Sequence, residues 1–144
     1  MKIAALKHYR AQLEEACRVE LADIEHRLHV ATEGLHRLEV EAEAEAQQFM
    51  ADVRGGLTTN EVEGRHVALN ALTEAIQQAR LVVQEARRMR DEKLSEVVEA
   101  SREKKKLDIL AQREALRLRR RQERREQGEF DEVAGRRFIA GRDH

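Results

Sequence analysis

"VRGGLTTNEVEG", Val53 to Gly64, is the stretch of this 144-residue chain that reads as a break between two helices. Gly55 and Gly56 accept a positive φ without steric cost and so can end a helix. Thr58 reads as the N-cap of the next one, with Glu61 three residues on to complete a capping box. Leu57 and Val62 stand one residue before that cap and four after it, where a hydrophobic staple places them. Gly64 weakens the following turn by about 1 kcal/mol relative to alanine. The expectation is a helix over about residues 2–54, a tip loop over 55–58, a helix over 59–137 and a frayed tail over 138–144, all in one coiled-coil domain.

Working outward, apolar residues recur at alternating steps of three and four: Leu21, Ile24, Leu28, Ala31, Leu35, Leu38, Ala42, then Phe49, with Glu45 the one charged member. That is a heptad seam. Leu6, Leu13 and Cys17 continue it upstream, where Leu13, Cys17 and Leu21 read as a stutter. Beyond the break the seam resumes through Leu69, Leu72, Ile76, Ala79, Val83 and Ala86. It turns ragged at Arg90 and Lys93 and returns through Leu94, Val97, Leu107 and Leu110. Two long amphipathic helices joined by a short loop fold back as an antiparallel pair. If residue i faces roughly residue 116 − i, Leu35 meets Leu81, Leu21 meets Leu94 and Leu6 meets Leu110, while Glu25 and Glu33 lie near Arg87 and Arg88. The fold class is all-α, a two-helix antiparallel coiled-coil hairpin.

Composition agrees. Charged residues make up 38% and aromatics 3%, and there is no proline or tryptophan, which suits long helices and not a globular core. The 27 basic and 28 acidic residues nearly cancel, but residues 101–125 hold 11 basic to 4 acidic. The lone Cys17 fits a reducing compartment and a small seam residue. No run of 18 apolar residues and no signal-like leader is present, so the expected location is cytoplasmic.

The arms are unequal. The first spans roughly 80 Å and the second extends about 30 Å further, an overhang without a partner in the chain. That overhang carries the arginine comb "LRRRQERREQGEFDEVAGRRF", Leu118 to Phe138. Phosphate neutralisation by Arg119, Arg120, Arg121, Arg124 and Arg125 is one reading. Against it, no aromatic is interleaved for base stacking, Glu114, Glu123 and Glu126 interrupt the positive surface, and no zipper follows the basic region. A solvated face is the bland reading of any charge run. Docking onto an acidic protein surface uses the same guanidinium groups and also accounts for Phe130, Val133 and Phe138. His29, Glu33 and His36 share a helical face, but a zinc site needs three or four converging ligands with an ordered second shell. At the tip, Phe49, Val53 and Leu57 either close the seam or present apolar surface. No nucleophile–base set or phosphate loop appears, and neither an enzyme, a metal nor a cofactor is expected.

From about Glu85 to Phe138, through "EARRMRDEKLSEVVEASREKKKLDILAQREA" and "RRQERREQGEFDEVAGRR", the chain resembles the C-terminal helix of the FliJ proteins of the bacterial flagellar type III export apparatus. The resembling elements are the Lys-rich turn, Leu107 and Leu110, the Arg125–Gln127 step, Asp131-Glu132 and the closing Arg136-Arg137 pair. "ALKHYRAQLEEACRVELADIE" is similar to the family's opening helix. The resemblance implies a non-enzymatic stalk or adaptor that docks into the ring of the export ATPase (FliI-like) and promotes its assembly. It also implies contacts with the export gate protein (FlhA-like) and export chaperones, and a peripheral place at the inner membrane. Carried over by position, ATPase contact falls to Arg113, Arg117, Arg120, Arg121, Arg124, Arg125, Asp131, Glu132, Arg136 and Arg137. Leu118 stands where the family commonly has an aromatic, and Gly128 and Gly135 are expected to end the last helix early or bend it. The alternatives are a stalk of a virulence-type secretion system (the YscO kind), a generic helical scaffold, and a nucleic-acid-binding basic helix.

Overall fold

A computed structural model describes residues 2–142. Two helices packed on one another account for it: α1, Lys2–Gly55, of 54 residues, and α2, Thr59–Arg142, of 84. The fold is the expected two-helix coiled-coil hairpin. The turn forms as its residues dictate. Gly56 takes φ 93° and its N–H donates to Val53 O at 3.1 Å, one of the two bonds of a Schellman cap. The Glu61 N–H donates to Thr58 Oγ1 at 3.2 Å, and the Val62 N–H to Thr58 O at 3.0 Å, which starts α2. Leu57 and Val62 are both half-buried, as a staple requires. α2 continues through Gly128 and Gly135 to Arg142, past the expected end at Arg137. Of the tail expected to fray, 143 and 144 lie outside the described residues.

Contacts divide the chain into two compact units. In the unit Glu15–Glu99, α1 and α2 meet along Leu21, Ile24, Leu28, Ala31, Leu35, Leu38, Ala42 and Phe49 on one side and Leu69, Leu72, Ile76, Ala79, Val83, Ala86 and Val97 on the other. All are half-buried or better, with Val83 at 3% exposure and Ile24 and Val97 at 9%. No described side chain is fully enclosed, because two helices share one seam and nothing covers the seam from outside. Register is legible in the cross-helix pairs. Asp52–Arg65 (2.8 Å), Phe49–His66 (rings 5.2 Å apart), Glu39–Arg80 (3.8 Å) and Glu20–Lys93 (2.5 Å) give residue-number sums from 113 to 119, bracketing 116.

Three expectations change. Arg90 and Lys93 are half-buried, and the alternation of three and four passes straight through them to Val97. Leu81 and Leu94, named as partners of Leu35 and Leu21, lie off the seam at 56% and 46% exposure. Counting only apolar residues skipped the charged members, whose aliphatic stems cover the seam while their heads reach water. Finally, Arg88 does not cross to Glu33. Its guanidinium binds Glu85 (2.7 Å) and Glu92 (2.9 Å) on its own helix, while Glu33 pairs with His29 (3.1 Å) and Arg37 (3.9 Å) on its own.

The second unit comprises the described residues 2–14 and 100–142. Its seam positions in α1 are Ile3, Lys7, Arg10 and Glu14, and in α2 Ala100, Lys104, Leu107, Ala111 and Glu114. Glu14 is 8% exposed, so the steps run 10, 14, 17 and no stutter exists; Leu13 sits half-buried beside it. Lys7 Nζ reaches Asp108 Oδ1 at 3.5 Å, a sum of 115. Leu6 and Leu110, expected to face one another, keep 46% and 51% exposure. From residue 115 to 141 every α2 side chain is exposed.

Candidate functional site

The exposed end of α2 carries nine of the ten residues singled out by resemblance, Arg113 stands just before it, and every one of the ten faces solvent. Helical spacing sorts them. Arg113, Arg117, Arg120, Arg121 and Arg124, with Leu116 among them, line one shallow groove along the helix. Arg117 leans on Glu114 at 3.9 Å, too long and too exposed to neutralise it. Among the described residues, Arg113, Arg120, Arg121, Arg124 and Arg125 have no carboxylate within ion-pair reach. Arg125 lies outside the groove. A row of unpaired arginines whose Cβ atoms recur about 5–6 Å apart along the helix suits bidentate carboxylate recognition.

Further along, the character changes. Gln127 Nε2 donates to Asp131 Oδ1 at 3.2 Å, and Arg136 pairs with Glu132 at 3.7 Å, both within the helix. Phe130 (70% exposed) and Phe138 (65%) stand eight residues apart with Ala134 midway, so the three fall on one stripe. Val133 is 47% exposed beside it. The helix end therefore offers an apolar stripe flanked by charge, the form of a helix that seats in a groove.

The other candidates resolve differently. His29 Nε2 lies 3.1 Å from Glu33 Oε1, and Thr32, His36 and Arg37 share that face. Among the described residues no three His, Cys, Asp or Glu groups are placed to hold a metal ion. Cys17 is half-buried at the seam. At the tip Phe49 is half-buried and stacks edge-on with His66, while Val53 remains 47% exposed, so the first closes the seam and the second does not.

Sequence reasoning missed a latch next to the tip. Asp52 accepts hydrogen bonds from Gln48 Nε2 (2.9 Å) and Arg65 Nη1 (2.8 Å), and these two donors hold its carboxyl below the ordinary value. The Arg65 guanidinium also lies 5.9 Å over the Phe49 ring. It missed Lys93 as well, whose side chain is 19% exposed and whose ammonium bridges Glu20 and Glu96 and is held charged by those two bonds, Glu20 first. Counting threes and fours through charged residues, and not only apolar ones, would have found both Arg65 and Lys93.

Among the described residues, no helix is long and apolar enough to cross a membrane. No curated protein and no solved structure matches the chain. The model of one protein family, described as flagellar FliJ protein, matches residues 2–143.

Proposed function

The chain belongs to the FliJ family, a component of the flagellar-type export apparatus, and from that premise we propose that it acts there as a non-enzymatic stalk and adaptor. The exposed end of α2 docks into the ring of the export ATPase and promotes ring assembly, with contacts to the export gate and export chaperones elsewhere on the molecule. The observation that carries this reading is the run 115–141, helical throughout and uncovered on every side, with unpaired arginines in its first half. A helix of that kind is marginal alone in water and gains order against a partner. The ten residues from Arg113 to Arg137 named above are the proposed contacts, and the single coiled-coil domain is the proposed unit of action.

The mechanism is differential binding. A peg that contacts several subunits of an assembled ring binds the ring better than free subunits, so assembly and ATP turnover rise together. The test compares ATP hydrolysis by the cognate export ATPase with the full chain and with a 1–112 truncation. Stimulation by the full chain alone is the expected result. Equal effects of the two, or none, would remove the docking reading and leave a helical scaffold.

A further inference from the structure

The seam changes character along the hairpin. Between Glu15 and Glu99 its covered members are mainly leucine, isoleucine, valine and alanine. Among residues 2–14 and 100–114 the equivalent positions hold Arg10, Glu14, Lys104 and Glu114, with Lys7 exposed at another. The apolar seam residues there, Ile3, Ala100, Leu107 and Ala111, are only half-covered, and the one buried side chain described in this unit is a carboxylate, Glu14. No buried nitrogen or oxygen there lacks a hydrogen-bond partner, so the packing is satisfied. It is nonetheless a kind of packing in which ion attraction largely offsets desolvation and little net stability remains. Arg10 and Lys104 also bring like charge to the same seam: counted along both helices from the Lys7–Asp108 pair, Arg10 falls near Lys104 and Lys105, with half-buried Glu103 and Asp108 on the same stretch of α2. That pair is itself long, 3.5 Å, with both side chains about two-fifths exposed.

We propose that residues 2–14 and 100–114 form a clasp that opens while the Glu15–Glu99 hairpin stays closed. Opening lifts the first turns of α1 off α2 and lengthens the uncovered part of α2 by about four turns. Half-buried Lys104 is then uncovered beside Arg102, Lys105 and Lys106, which are exposed already, and extends the basic row that begins at Arg113. A partner with an acidic surface binds the open form better and draws the equilibrium towards it, so the clasp sets how much of α2 is offered at rest. The opening follows from the seam alone; its use in docking rests on the proposed function.

Hydrogen exchange of the full-length protein, read by mass spectrometry, tests the clasp. Residues 100–114 border the uncovered run 115–141, whose fraying can also speed their exchange, and a double variant that leaves that run unchanged separates fraying from opening of the clasp. The expected result is exchange at 100–114 about tenfold or more faster than at 69–97, as local opening requires. In an Arg10→Leu, Lys104→Leu double variant, exchange at 100–114 slows towards that of 69–97. Equal protection of the two segments in the unchanged protein would overturn the proposal, as would a double variant that exchanges at the original rate. The ATPase comparison decides docking separately, so failure of either reading is visible without the other.

Discussion

At the turn, two adjacent glycines do different work. Gly56 holds φ 93°, which a side chain resists, whereas Gly55 is still helical and nothing lies within 4 Å of a Cβ added there. Gly56→Ala is therefore expected to cost about 1 kcal/mol by urea denaturation, and Gly55→Ala to be neutral or slightly stabilising. Thr58→Ala removes the cap acceptor of the Glu61 N–H and should cost about 1 kcal/mol. Asp52 supplies a pH dependence. Its carboxyl is held below the ordinary 3.8 by the bonds from Gln48 and Arg65, so its stabilisation is complete above that value and is lost as pH falls through the lowered one. Melting temperatures of the unchanged protein and Asp52→Asn should differ at neutral pH and converge as pH drops below 3.8. A constant difference down to strong acid would show that the ionised carboxylate is not what holds the latch.

For the helices as elements, glycine in α2 makes a second expectation. Gly128 and Gly135 lie in the uncovered run with open space around a built Cβ, and neither takes a positive φ. Each change to alanine should favour the helix by about 1 kcal/mol, seen as increased far-ultraviolet circular dichroism without a change in the hairpin's melting. The same positions explain where reading by element fell short. Glycine was expected to stop or bend α2, yet the helix runs on to Arg142, since a single glycine costs less than a long helix recovers by propagation. The seam was legible wherever it was apolar, from Leu21 to Ala42 and from Leu69 to Ala86. It was misplaced at Leu13 and Leu94, where the charged neighbours Glu14 and Lys93 take the covered position, and at Leu110, where Ala111 does.

Taken as a molecule, the chain separates its proposed tasks: an apolar hairpin next to the turn, and an uncovered, arginine-bearing helix end. If the comb recognises protein carboxylates, a fluorescence titration with mixed-sequence DNA at physiological salt should show no binding at micromolar concentration. Micromolar or tighter binding would favour phosphate recognition instead. The overhang was readable beforehand, because it follows from the unequal lengths of two arms, whereas the ten proposed contact residues rest on the resemblance alone. Which arginines share a face with Leu116, and that Arg125 does not, needed the helix in three dimensions.

The amino-acid sequence by itself determined the helices, the turn between Val53 and Thr58 and the register near 116. Caps, glycines and a heptad period are local signals, and local signals act within a few residues. Only the tertiary structure decided what the seam is made of. Whether Lys93, Arg65, Glu14 or Lys104 is covered depends on a partner helix that chain order leaves 13 to about 90 residues away. An arginine or lysine reads the same in sequence whether its stem packs along a neighbour or stands in water. The division between an apolar hairpin and a charged clasp is therefore a property of the packed pair, because burial belongs to two helices at once and to neither alone.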